Sequence, residues 1–192
     1  MIKYVDFDLL TIIIFFTIYV PIFCILRWKM KKSNSYLIIS TILYIYLCGV
    51  LSYTQFPILI SNNIDYDVMK NVNYIPILTL SASDIKTSLL NVVLTIPFGF
   101  LVSILKKQSA KTIAGYGVLF GIIVEGIQFI VGRFIGFNMR VIDINDIIFN
   151  FIGVYIGFIS YRICRNIFVK IMKVYSIESN EFLECCLFNK DK

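Results

Sequence analysis

Acidic and amide side chains lie inside, or at the edge of, two long apolar runs. Glu125 and Gln128 are three residues apart in one run, and Asp146 and Asn150 are four apart at the start of the next. A charged side chain at the centre of a bilayer costs about 3 kcal/mol on insertion scales, so it rarely persists without a partner or a task. Spacings of three and four place each pair on one face of a helix.

Three kinds of chemistry are open to Glu125. It could lock two helices together, bind a polar headgroup or drug, or transfer a proton as a general acid or base. Gln128 and Asn150 are expected to act as hydrogen-bond partners of the acids. Arg140 precedes Asp143 and Asp146 by three and six residues, so its guanidinium could pair with their carboxylates. Arg133 is a second candidate for that pairing.

Helix capping is the competing interpretation for the second acidic pair. Asp143, Asn145 or Asp146 could cap the helix that begins there, because Asp and Asn side chains accept bonds from exposed backbone N–H groups. Asn91, in the run before Glu125, is expected to enter the polar cluster from the same side of the membrane.

Glycines continue both polar faces at the same spacing. They are Gly117 and Gly121 in one run, and Gly153 and Gly157 in the next. Small residues allow helix backbones to approach closely in lipid. If the two helices are antiparallel, we expect polar to face polar in the outer half of the membrane and glycine to face glycine in the inner half.

The elements that must position these residues are transmembrane helices. The 192-residue chain is 58% hydrophobic, and its mean hydropathy is +0.82. Five apolar runs each have about the length needed to cross a hydrocarbon core of roughly 30 Å. They are Leu9–Leu26, Tyr36–Tyr53, Leu89–Leu105, Thr112–Val131 and Ile144–Ile163. The pattern predicts an all-α, polytopic transmembrane bundle in the cell membrane.

Basic residues set the predicted orientation. Three groups of lysines and arginines follow the first, third and fifth runs, whereas the other connections are mixed or acidic. By the positive-inside rule, the N-terminus lies outside and the C-terminus in the cytoplasm. We expect a two-helix segment (1–60), an extracytoplasmic loop (61–88), a three-helix core (89–173) and a polar cytoplasmic tail (174–192).

Composition excludes several functions. The chain has no histidine, which rules out a histidine metal site and a Ser-His-Asp triad. The five cysteines do not suggest a disulfide framework. We assign the net charge of +6 to cytoplasmic loops and lipid headgroups rather than to nucleic acid. We expect no metal and no cofactor, and the sequence leaves the oligomeric state open.

The central residues resemble the VanZ-like membrane proteins. The resemblance covers about residues 73–157. It is carried by Asn73-x-x-Pro76, Asn91, Ile96-Pro97-Phe98-Gly99-Phe100, Glu125-x-x-Gln128 and Arg140-x-x-Asp143-x-x-Asp146-x-x-x-Asn150-x-x-Gly153-x-x-x-Gly157. The stretch from Gln128 to Arg140 is longer than the pattern and contains an extra arginine, Arg133.

The resemblance implies a protein of the cell envelope of Gram-positive bacteria, associated with low-level resistance to the glycopeptide teicoplanin. On this basis we expect an outward-facing polar pocket between the fourth and fifth helices that binds a lipid-linked wall precursor or a glycopeptide. The alternative is an intramembrane enzyme acting on a lipid-linked wall intermediate, with Glu125 as acid or base and Arg140 as anion clamp. The absence of a Ser/His or Cys/His pair favours the non-catalytic interpretation.

Overall fold

The helices form where the apolar runs predict them. A computed structural model describes residues 2–61, 72–73, 82–135 and 142–189. In this part of the chain, five helices are long and apolar enough to cross a membrane. They are Leu9–Lys29, Asn34–Gln55, Ile85–Leu105, Ala110–Arg133 and Ile144–Val174. The prediction of an all-α, polytopic bundle is confirmed.

The elements are as follows in chain order. They are β1 (Ile2–Val5), α1 (Leu9–Cys24) with a π-helical turn (Ile25–Lys29), α2 (Asn34–Gln55), β2 (Ile58–Ser61), β3 (Val72–Asn73), α3 (Ala82–Leu105), α4 (Ala110–Ile135), β4 (Ile142–Asp143), α5 (Ile144–Val174) and α6 (Glu181–Phe188).

Side-chain caps fix several helix starts. Asp8 accepts a hydrogen bond from Thr11 N at the start of α1, and Ser33 accepts one from Tyr36 N at the start of α2. Asp143 caps α5 through Asn145 N, and Asn180 caps α6 through Leu183 N. Each cap satisfies a backbone donor that the first turn of a helix leaves without an intrahelical partner.

Short strands gather at one end of the bundle, which we call the strand end. β1 pairs antiparallel with β2, so the start of α1 lies beside the end of α2. β3 pairs parallel with β4, Asn73 opposite Asp143, directly before α5. The end of α4 also contacts β2 and β4. This end therefore brings β3, Asp143 and the last turns of α4 together.

The opposite end, the basic end, carries the connections α1–α2 and α3–α4 and the last turns of α5. Its lysines and arginines are Arg27, Lys29, Lys31, Lys32, Lys106, Lys107, Lys111, Arg162, Arg165, Lys170 and Lys173. α5 has 31 residues, a length of about 46 Å at 1.5 Å per residue. It continues eleven residues beyond the predicted apolar run, because hydropathy marks only the part of a helix that suits lipid.

The tightest packing joins α3 to α5, which run parallel. A Cβ added at Gly153 would overlap Val92 O and Thr95 Oγ1, and one added at Gly157 would overlap Ile96 O. Gly99 of α3 meets the backbone of Val154 in the same way. Small residues at these positions let the two backbones touch, as small-residue motifs do in lipid.

The expected contact of glycine with glycine is wrong. A Cβ at Gly117 would lie 3.0 Å from Phe151 Cα, and one at Gly121 would lie 2.8 Å from Ile147 Cα. The glycines of α4 therefore do pack on α5, but they receive its larger residues. Gly153 and Gly157 lie on another side of α5, where they receive α3.

Helix α6 lies in the segment predicted only as a polar tail. It buries Cys185 and Leu187 against the basic end of the bundle. Asn189 Nδ2 donates to Ser103 O and Ile104 O at 3.0 and 2.6 Å, and thus caps the last turn of α3. The hydroxyl of Tyr161 donates to Cys186 O at 3.0 Å. Apolar runs in the sequence do not predict these hydrogen bonds, because the bonds join residues that are distant in the chain.

Candidate functional site

The buried carboxylate of Glu125 joins α4 to the start of α5. Glu125 is only 4% exposed, and its Oε2 accepts a hydrogen bond from Asp143 N at 3.2 Å. Asp143 lies three turns and a connection further along the chain, so this bond closes the α4–α5 hairpin at the strand end. Glu125 thus meets the start of α5 at the backbone of Asp143, whereas the sequence predicted that Glu125 and Gln128 together face the polar side chains of α5.

Asn73 adds a third element to this contact. Its Nδ2 donates to Asp143 Oδ1 at 3.0 Å, and the same oxygen accepts from Asn145 N at 2.8 Å. Asp143 thus caps α5 and anchors β3 at the same time. We call the group Glu125, Asp143 and Asn73 the Glu125 site.

The electrostatics of the Glu125 site follow from the helix that begins there. The first turn of α5 presents backbone N–H groups and the positive end of the helix dipole, which favour negative charge nearby. Asp143 and Asp146 also lie at this end of α5. The helix start therefore offsets part of the cost of placing acids inside the membrane.

Gln128 connects α4 to α2. Its Nε2 donates to Thr54 O at 3.3 Å, and Gln55 Nε2 donates to Val124 O at 3.4 Å. The two amides thus cross in opposite directions between the helices; we call them the amide clasp. Sequence analysis missed Thr54 and Gln55, although Gln55 is a polar residue at the end of an apolar run.

Asn150 lies about two turns further along α5 than Asp143, where α5 meets α3. It is 3% exposed, and its backbone oxygen accepts a hydrogen bond from Thr95 Oγ1 at 3.0 Å. Among the described residues, its side-chain Oδ1 has no hydrogen-bond partner. The same hydroxyl lies 2.8 Å from the backbone oxygen of Asn91, one turn before Thr95, so its single proton is shared between carbonyls of α3 and α5.

The remaining predicted residues have different outcomes. Asp146 is half-buried in the first turn of α5, next to the Asp143 cap. Arg133 is exposed in the last turn of α4. Arg140 lies outside the described residues, so its pairing with the acids stays a prediction. In the described part of the chain, no three acidic or cysteine side chains come together as a metal site would require.

The chemistry available to this arrangement is hydrogen bonding with a ligand or a second helix. The Glu125 carboxylate has four lone-pair positions, and the Asp143 N–H occupies one of them. A carboxylate accepts hydrogen bonds, so it suits a group that brings N–H or O–H donors.

Comparison with known proteins decides the family. The sequence pattern of the VanZ/LLP1 family matches residues 9–165. This chain belongs to that family. The match begins at the first residue of α1, so it includes the two N-terminal helices, which carry no part of the resemblance described above. It ends before α6. No curated protein and no solved structure matches the chain.

Membership of the VanZ/LLP1 family and five candidate spans together describe a multi-pass membrane protein. Glu125, Asp143, Asp146 and Asn150 all lie within the matched region. The Glu125 site therefore lies within the region that the family pattern covers.

Proposed function

We propose that this VanZ/LLP1 family member acts in the cell envelope by binding the polar part of an amphipathic ligand at the Glu125 site, and that it contributes in this way to teicoplanin resistance. The ligand is a lipid-linked wall precursor or a glycopeptide. The observation that carries the proposal is the Glu125 carboxylate, 4% exposed within a candidate span yet placed at the start of α5. A carboxylate retained there needs a task or a partner.

The proposed ligands require that the strand end faces outward. The lysines and arginines of the connections gather at the basic end, and such residues are enriched in cytoplasmic loops. We therefore place the N-terminus and the strand end outside, and α6 in the cytoplasm. A site at the outer end is within reach of wall precursors and of drugs that do not enter the cell.

Cysteine labelling in intact cells tests the orientation. The five native cysteines are first replaced, and Tyr4→Cys and Ser109→Cys are then introduced separately. Tyr4 is 64% exposed at the strand end, and Ser109 is exposed at the basic end. A membrane-impermeant maleimide should label Tyr4→Cys in intact cells and Ser109→Cys only after permeabilisation. The reverse pattern would place the Glu125 site toward the cytoplasm and end the proposal.

Drug susceptibility tests the function. Expression in a sensitive host should raise the inhibitory concentration of teicoplanin relative to an empty vector, with vancomycin measured in parallel. Glu125→Ala should abolish the increase. Gly126→Ala is the matched control, because a Cβ at this neighbouring position meets nothing within 4 Å. Equal amounts of folded protein are checked by size-exclusion chromatography. No difference between wild type and empty vector would refute the resistance role.

The variant Glu125→Gln distinguishes a binding site from the alternative, an intramembrane enzyme. The amide oxygen of glutamine can accept the Asp143 N–H bond that Glu125 Oε2 accepts, but glutamine cannot transfer a proton. A binding site should therefore keep most of its effect in this variant. An inactive Glu125→Gln protein that is folded and abundant would favour an intramembrane enzyme with Glu125 as acid or base.

A further inference from the structure

A polar cavity lies between the α1–α2 connection and α6 at the basic end of the bundle. Its volume is about 560 Å³. One wall, the basic wall, comes from the end of α1 and the connection after it, and it carries Arg27, Lys31 and Lys32. Another wall, the acidic wall, comes from the start of α6 and carries Glu181 and Glu184. A single cavity thus presents side chains of both charges.

The charges of the two walls do not cancel each other by direct contact. In the described part of the chain, neither Arg27 nor Glu184 forms an ion pair. Arg27 Nη1 donates to Asn34 Oδ1 at 3.2 Å, and Glu184 Oε1 accepts from Ser179 Oγ at 3.1 Å. An amide and a hydroxyl thus position the two charged side chains and leave their charges in place. The space between the walls suits a ligand that brings a charge of each sign.

The cavity lies at the level of the lipid headgroups. The first candidate span ends at Lys29 and the second begins at Asn34, so the connection that lines the cavity lies just outside the hydrocarbon core. Trp28, next to Arg27, is 73% exposed, and tryptophan is enriched where membrane meets water. A lipid of this leaflet can therefore place its headgroup in the cavity while its acyl chains stay in the core.

The two walls select among headgroups. Arginine and lysine bind phosphate, and the start of α2, at Ser33 and Asn34, adds the positive end of a helix dipole. The carboxylates of the acidic wall accept N–H bonds from a primary ammonium group. A purely anionic headgroup would leave them without a counter-charge. A choline group has no N–H donor and is recognised by aromatic faces, whereas no described aromatic side chain lines the cavity.

We propose that this cavity binds a phospholipid whose headgroup carries a phosphate and a primary amine, of which phosphatidylethanolamine is the simplest, in the leaflet at the basic end. The phosphate binds to Arg27 and Lys31, and the ammonium group binds to Glu181 and Glu184. The cavity shares no residue with the Glu125 site and lies at the opposite end of the bundle, so it does not depend on the proposed function. Its acidic wall also lies beyond residues 9–165, the region that the family pattern matches.

Lipid competition on the full-length protein tests the site. The protein in detergent is mixed with equal amounts of phosphatidylethanolamine, phosphatidylcholine and phosphatidylglycerol that have identical acyl chains, and native mass spectrometry counts the lipids retained. Phosphatidylethanolamine should be retained several-fold more than either of the others. Equal retention of phosphatidylcholine would show that the amine is not recognised, and equal retention of phosphatidylglycerol would show that the basic wall acts alone. Either result would overturn the proposal.

The acidic wall supplies the first matched variants. The double variant Glu181→Gln, Glu184→Gln keeps side-chain size but removes both partners of the ammonium group. Retention of phosphatidylethanolamine should fall to that of phosphatidylglycerol or below. Glu178→Gln is the control, because Glu178 is an exposed acid just before α6 that does not line the cavity. An unchanged preference for phosphatidylethanolamine in the folded double variant would refute the site.

The basic wall supplies a second pair, which also serves if the double variant proves misfolded on size-exclusion chromatography. Lys31 and Lys29 are both exposed, but only Lys31 lines the cavity. Lys31→Gln should reduce the retention of phosphatidylethanolamine several-fold, whereas Lys29→Gln should leave it unchanged. Equal retention in both folded variants would contradict the assignment of the phosphate to this wall.

Free phosphoethanolamine separates a lipid from a soluble ligand of the same chemistry. Added in excess, it should displace little of the retained phosphatidylethanolamine, because the lipid also holds the protein through its acyl chains. Complete displacement would assign the cavity to a soluble phosphate–amine compound and overturn the lipid assignment.

Discussion

Helices α1 and α5 show that apolarity and burial are separate properties in this protein. The span that contains α1 has a mean hydropathy of 2.7, and none of it is buried. The α5 span has a lower hydropathy of 1.7, and 33% of it is buried. In a water-soluble protein the more apolar helix would be expected in the core. Here the more apolar helix lies at the periphery, where it faces lipid.

The physical reason is that lipid is as apolar as leucine. Apolar surface gains nothing by leaving lipid for protein, so helices associate through close backbone packing and polar bonds. α5 supplies both, through its glycines and its polar first turns. α1 is instead held by Tyr19 and Tyr44, whose hydroxyls bond to Thr41 Oγ1 and Phe15 O at 2.6 Å each.

The largest expected effect is at the α3–α5 contact. Gly157→Ala places a methyl group into Ile96 O, a backbone atom that cannot move aside without shifting α3. Overpacking usually costs 1–3 kcal/mol, so we expect a loss of unfolding free energy of about 3 kcal/mol or more. The thermal midpoint in detergent measures it. Gly115→Ala, where a Cβ meets nothing within 4 Å, is the control and should differ little from wild type.

The next effect is a gain in stability at Asn150. Its Oδ1 is buried without a hydrogen-bond partner among the described residues, and an unsatisfied buried acceptor costs about 1–3 kcal/mol. Leucine has the same branching and no polar atom, but its methyl groups are larger than the amide groups, so part of the gain is lost to packing and Asn150→Leu should raise the unfolding free energy by at most about 1 kcal/mol. The same thermal unfolding assay applies. A destabilised variant would show that the amide has a partner such as a bound water.

A smaller loss is expected where α1 meets α2. Tyr44→Phe removes the hydroxyl that bonds to Phe15 O but keeps the stacked contact with Tyr19, whose ring centroid is 4.5 Å away. Polar bonds between membrane helices average about 0.6 kcal/mol, and we expect a loss of that size. A loss as large as that of Gly157→Ala would contradict the peripheral role assigned to α1.

The smallest effect belongs to the lipid face of α1. Ile13 is 56% exposed, so Ile13→Ala removes contacts that are mainly with lipid. We expect the unfolding free energy to change by less than about 0.5 kcal/mol, as for other surface substitutions. A matched change on α5, Val154→Ala, removes atoms from a fully buried side chain and should cost more. Equal effects would remove the distinction between the two helices.

The sequence predicted the part of the site that depends on local spacing. Glu125 and Asp143 meet because α4 and α5 are consecutive spans joined by a short connection, which makes them antiparallel neighbours. The amide clasp could not be predicted, since Thr54 and Gln128 are 74 residues apart and no spacing rule relates them. The sequence also could not predict that the α5 glycines face α3 rather than α4, because a glycine allows any helix to approach closely and does not specify which one.

The sequence by itself determined that five helices are long and apolar enough to cross a membrane, because length and hydropathy can be matched to a hydrocarbon core whatever the neighbours are. It also determined which residues of each helix share a face, because helical period is a local property. The tertiary structure decided which face meets which helix. That choice depends on backbone shape and on hydrogen bonds between distant residues. In lipid, the apolarity of a helix face does not predict whether it will be buried against another helix, because lipid is equally apolar.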